Sequence, residues 1–201
     1  MADIKLGDEP TRHADCCLSL STTLLNALTS IINRRVGSDA PGADSERLIL
    51  SVGSGSGLLE ALLLQKWRAA GASSGLFIEG VEVQQQSGRP SLLNKYLPEQ
   101  HHSGVKGTWD LSPRAADAAV LMFVYPRSPE LVRRYLDETA TQARGRLGLA
   151  IWLGPKCDWA EFEGAFTGYS GWDMRVVPDN ESGLFEYEMI AVLEKQAGLE
   201  P

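Results

Sequence analysis

From Arg47 almost to the end of the sequence, apolar runs of strand length alternate with longer segments of helical pattern, and this alternation constrains the fold more than any other feature. RLILSV (47–52) leads into GLLEALLLQKWRAAG, and GLFIEGVEV (75–83) into a short helix predicted for PSLLNKYLPE (90–99). A weak strand, GVKGTW (104–109), precedes AAVLMFVY (118–125), the helix pattern SPELVRRYLDETATQARG, then RLGLAIWL (146–153) and DWAEFEGAF. WDMRVVP and LFEYEMIAVLEK follow, joined by PDNESG, which predicts an antiparallel hairpin at one sheet edge. Strand and helix in alternation build a parallel sheet covered on both faces. The expected fold is therefore α/β, a three-layer sandwich around a mostly parallel seven-stranded sheet with an antiparallel edge hairpin, plus an N-terminal helix.

That helix is predicted over Asp15–Arg35, where Leu18, Leu24, Leu25, Leu28, Ile31 and Ile32 fall mostly at helical spacing and Asp15 is placed to cap the start. Residues 1–14 read as a loose arm and VGSDAPGADSE (36–46) as a linker loop. The chain thus divides into an arm and helix over 1–45 and a main domain over 46–197.

Composition removes whole classes of function. With 26 acidic against 19 basic residues the net charge is −7, which disfavours nucleic acid or an anionic membrane as partner. Cys16, Cys17 and Cys157 lack the spacing of a zinc cage, so no metal is expected and a reducing compartment is. No secretory signal pattern opens the chain and no apolar run spans a bilayer, so the expected location is cytoplasmic.

Gly53, Gly55 and Gly57 stand where the first strand of the main domain passes into its helix, at the carboxyl edge where open α/β sheets bind ligands. A dinucleotide fingerprint would place glycine or alanine three residues after Gly55, but Leu58 stands there. The G-x-G-x-G spacing instead resembles the first motif of the class I S-adenosylmethionine-dependent methyltransferases. Glu82, at the end of the second strand, offers two acceptor oxygens for a pair of ribose hydroxyls.

The resemblance implies a strand order of 3-2-1-4-5-7-6, S-adenosylmethionine as cofactor, and a main domain over 46–197 with the arm and helix over 1–45 as a cap on cofactor or acceptor. It implies that Gly53, Ser54, Gly55 and Gly57 run beneath the cofactor's amino acid and ribose, with Glu82 and Val83 at the ribose. Trp109 and Asp110 would meet the adenine, and Tyr125, followed by Pro126, would line the transfer centre. Two departures stand out: Ser51 replaces the acidic residue common two positions before the first motif glycine, and Tyr125-Pro126 is not the amide-nitrogen methylating motif. Glu79, within the same apolar run as Glu82, suits a strand edge rather than a ligand.

No catalytic residue is assigned. His13, His101 and His102 are the available bases, each without a partner or metal-ligand spacing, and Trp152, Asp158 and Trp159 are placed to shape an acceptor pocket. The expected function is methyl transfer to a small-molecule acceptor, a protein acceptor being possible. The alternatives are a noncatalytic protein of the same fold acting in binding or regulation, and a dinucleotide-dependent oxidoreductase.

Overall fold

Side chains along the first sheet strand, β3 (Arg47–Val52), alternate between two packed layers: Ile49 joins one, and Leu48, Leu50 and Val52 the other. The computed structural model describes residues 4–36, 46–71, 75–84, 93–141 and 145–196. Two short strands, β1 (Thr11–His13) and β2 (Cys16–Leu20), form an antiparallel hairpin ahead of α1 (Thr22–Val36). After β3 come α2 (Leu58–Ala69), β4 (Leu76–Val83), β5 (His102–Val105), β6 (Ala118–Val124) and α3 (Pro129–Ala140). The chain closes with β7 (Leu149–Pro155), α4 (Trp159–Phe162), β8 (Trp172–Val176), α5 (Asp179–Ser182) and β9 (Glu188–Lys195).

The seven-stranded sheet has the order β5-β4-β3-β6-β7-β9-β8, which is 3-2-1-4-5-7-6 when its strands alone are counted. β3 to β7 run parallel, and β9 inserts antiparallel between β7 and β8. The expected edge hairpin is the β8–β9 pair. Leucines and isoleucines of α1 and α2 cover Ile49, Ile78, Val120, Ile151 and Val192 on one face. On the other, α3, α4 and the turn after it bring Val132, Leu136, Phe162 and Phe166 onto Leu50, Phe123 and Trp152. Ser128 starts α3 by accepting from the Leu131 amide at 3.2 Å, with Pro129 in the first turn where its missing N–H costs nothing.

The N-terminal region differs from its expected form. Cys16–Leu20 is strand, not helix, and residues 11–13 pair with it instead of forming a loose arm. Helix α1 begins only at Thr22, and Ser21, not Asp15, caps it by accepting from the Leu24 amide at 2.9 Å. The misreading has a physical source: in LSLSTTLL a strand's alternation runs straight into a helical stripe, with Leu18 and Leu20 serving both patterns. The helix expected over 90–99 begins outside the described residues; from Leu93 to Leu97 the chain makes turns, followed by a single 3-10 turn at Glu99–His101. Among the described residues no helix is long and apolar enough to cross a membrane.

Candidate functional site

Between β3 and α2 the chain passes through three left-handed glycines, Gly53 (φ 79°), Gly55 (φ 59°) and Gly57 (φ 75°). Such a turn is open to glycine at little cost and strained for other residues. The Gly53 amide extends the sheet ladder to the Val81 carbonyl at 3.0 Å, and the Gly57 amide folds back on the Ser54 carbonyl at 2.9 Å. Glu82 sends its carboxylate into this turn: the Gly55 amide donates to Oε1 at 2.5 Å and the Val83 amide to Oε2 at 3.3 Å. Each oxygen keeps a further lone pair for a hydroxyl donor. Ser54, Gly55, Gly57, Glu82 and Val83 are thereby gathered at one place, while Glu79 lies buried mid-strand, bound to Arg114 (2.6 Å) and Ser103 (2.6 Å).

A second wall comes from the segment after the undescribed residues 85–92. The Asn94 amide donates to the Gly55 carbonyl at 2.8 Å, the Tyr96 amide to Ser56 at 3.1 Å, and Ser54 Oγ to Asn94 Oδ1 at 2.7 Å. The N-terminal hairpin is pinned to the same wall through Asp15. Its carbonyl accepts from Ser56 Oγ at 2.6 Å, and its carboxylate meets Tyr96 OH at 2.7 Å and Lys95 Nζ at 2.8 Å. Hydrogen bonds from Lys95 and then Tyr96 hold the Asp15 carboxyl below its ordinary value.

Beneath the loop, Ser51 of β3 donates to Glu60 Oε1 of α2 at 2.6 Å. Glu60 is buried and its Oε2 has no hydrogen-bond partner among the described residues; burial pushes the carboxyl up to about 7.

At the end of β6, Tyr125 takes a left-handed backbone (φ 49°), uncommon for a bulky residue, and its amide still reaches the Leu153 carbonyl at 2.7 Å. Its hydroxyl donates to Glu188 Oε1 at 2.5 Å. Buried Glu188 opens β9 and also accepts from the amide and hydroxyl of Ser19, so one carboxylate ties β2, β6 and β9 together. Burial, and then this bond to Glu188, push the Tyr125 hydroxyl well above the ordinary tyrosine range. Glu60, Glu188, Ser19 and Asn94 were not singled out in the sequence. The only local signal for the first two was a carboxylate within an apolar run.

Trp109 and Asp110 follow β5, the strand next to Glu82's. Trp109 is 67% exposed, its ring lies against Gly107, and its carbonyl accepts from Arg134. His13, at the end of β1, accepts from the Asp15 amide at 3.1 Å and sits edge-on to Tyr96. His101 is buried, stacked on Phe77 with its Nδ1 2.7 Å from the Ile78 carbonyl, whereas His102 is exposed. Trp152 is core, with Trp159 packed against it. Among the described residues no three His, Cys, Asp or Glu side chains gather as metal ligands would.

No family model matches the sequence, and no curated protein does. Solved structures do. Over 88% of this chain and 84% of its own, the human methyltransferase 10 domain containing protein superposes with a TM-score of 0.56 at 16% identity. Added to the 3-2-1-4-5-7-6 sheet, that likeness decides the architecture. The chain has the class I methyltransferase fold. The delta-N METTL16 methyltransferase domain is similar to it with a TM-score of 0.54 and 14% identity, over 89% of this chain and 84% of that one. The plantazolicin methyltransferase BpumL, solved with a triazolic desmethylPZN analog and SAH, gives 0.53 and 12%, over 87% and 85%. In the methyltransferase fold of this chain Leu58 is buried in the core at the first turn of α2, filling the space that the dinucleotide fingerprint leaves to glycine.

Proposed function

We propose that this chain is an S-adenosylmethionine-dependent methyltransferase acting on a small-molecule acceptor. The observation that carries the reading is Glu82 bonded into a left-handed glycine turn at the carboxyl edge of the sheet. Open α/β sheets bind their ligands at that edge. The residues fit the cofactor: Glu82 has acceptor capacity left for ribose hydroxyls, Gly53 to Gly57 allow close approach of the backbone, and the exposed Trp109 ring offers a flat face to adenine, with Asp110 as acceptor beside it. Bound S-adenosylmethionine supplies an electrophilic methyl group on a sulfonium. The chain's own part is to position an acceptor in line and exclude water, with Tyr125 and the hairpin residues forming the acceptor side. The small acceptor accords with the desmethylPZN analog bound by the similarly folded BpumL.

A second reading, binding or regulation without catalysis, is favoured by one feature. The Tyr125 hydroxyl and both hydrogen-bonding groups of Ser19 are committed to Glu188, which leaves no free base among them.

Calorimetric titration with S-adenosylmethionine, S-adenosylhomocysteine and, as control, NAD tests the cofactor assignment. Saturable binding of the first two alone is expected, and Glu82→Ala should weaken it by about 1–3 kcal/mol. Silence from both in folded, ligand-free protein would overturn the reading. Binding without methyl transfer across an acceptor screen with labelled cofactor would move the assignment to the noncatalytic one.

A further inference from the structure

The Ser51–Glu60 pair lies where β3 hands over to α2, directly under the glycine turn. Glu60 is 1% exposed, its Oε1 is held by Ser51, and its Oε2 has no partner among the described residues. Among the described residues, the titratable groups that face it add no positive charge. From β4, Glu82 repels it; from β2, Cys16 has its own thiol pushed up to about 12, first by burial and then by Glu60. A carboxylate enclosed without a cation or a full set of donors is costly, and an apolar pair would fill the same space at no such cost. The amide of Glu60 itself, in the first turn of α2, eases part of that cost and leaves Oε2 unmatched.

On the cofactor assignment above, the group that must lie over this turn carries a primary ammonium at its amino-acid end. We propose that Glu60 is the anchor for that ammonium, with Ser51 fixing the carboxylate. The strand position of Ser51 carries no charge in this chain, and the helix supplies the carboxylate instead. In the free protein burial favours the protonated form of this carboxyl. Pairing with an ammonium favours the ionised form, so the displaced proton goes to solvent.

Two ligands separate this inference from the reading it rests on: S-adenosylhomocysteine, which has the ammonium, and 5′-methylthioadenosine, which lacks it. In the full-length Glu60→Gln variant, affinity for the first should fall about tenfold or more while that for the second stays within about twofold. With wild type near pH 7, the binding heat should vary with the ionisation enthalpy of the buffer, in the sense of proton release, for S-adenosylhomocysteine only. This second measurement needs no variant and stands if Glu60→Gln folds poorly. Wild type that binds both ligands without proton release, or a variant that loses both equally or neither, would overturn the role of Glu60 and leave the cofactor assignment standing. Wild type that binds neither would remove both.

Discussion

At the ends of β3 and β4 the candidate site is made of backbone, whereas at the ends of β6 and β9 it is made of side chains. On the first side three glycine torsions and one strand-end carboxylate create the shape, all within residues 53–82. On the second, Tyr125, Glu188 and Ser19 meet across three strands, and Glu188 is 169 residues from Ser19. The difference assigns different risks to the halves. A backbone-built half is vulnerable to an added Cβ, and a side-chain-built half to the loss of one shared acceptor.

The largest effect should come from the second half. Glu188→Ala strips buried Ser19 and Tyr125 of their acceptor and should lower stability by about 3 kcal/mol in urea unfolding while S-adenosylhomocysteine affinity changes little. Equal losses in both quantities would mean that the halves are one unit. Next comes the carboxyl beneath the glycine turn. Because Glu60 titrates at about 7 when folded and near 4.5 when unfolded, the native state holds the extra proton between those values, and stability falls as pH rises through them. Glu60→Gln has no such proton, so its stability relative to wild type should rise by about 2–3 kcal/mol between roughly pH 5 and pH 8. A flat difference across that range would show that burial does not perturb the group.

Within the glycine turn, Gly57→Ala combines a left-handed torsion with a Cβ 2.9 Å from Leu97 Cγ, while Gly55→Ala meets nothing within 4 Å among the described residues. Thermal melts should place the first about 2 kcal/mol below wild type and the second about 1 kcal/mol below, torsional strain being common to both. Equal losses would assign the whole cost to the torsion. The smallest effect belongs to the partly exposed Lys95–Asp15 pair. Lys95→Ala should leave global stability almost unchanged and speed hydrogen exchange only at the hairpin, with the difference fading at high salt.

Legibility in the sequence followed the same division. Gly53, Gly55, Gly57 and Glu82 were legible because local spacing fixes where a strand ends and a helix begins, and the sheet then brings β4 beside β3. The sandwich was legible because continuous apolar runs mark the buried strands and alternate with segments of helical pattern. Ser19 and Glu188 were not, since neither side chain has a local partner: a serine inside the stretch read as a helix and a glutamate inside the last apolar run give no sign of each other until the fold joins them. The hairpin was missed because Leu18 and Leu20 fit two periods at once. Trp109 was legible as a candidate, and its exposure, which the sequence does not encode, is what leaves its face open.

The Ser19–Glu188 link also sets an order of events during synthesis. β2 leaves the ribosome early, yet the acceptor for its Ser19 amide and hydroxyl arrives only with β9, roughly 10–30 s later at ordinary elongation rates. Leu18 and Leu20, both buried in the finished protein, must wait through that interval with part of their cover missing. The glycine turn and Glu82 can meet long before. A nascent chain therefore carries a finished glycine-turn half of the candidate site and an unfinished Tyr125–Glu188 half, and β2 becomes the last part of that site to lock.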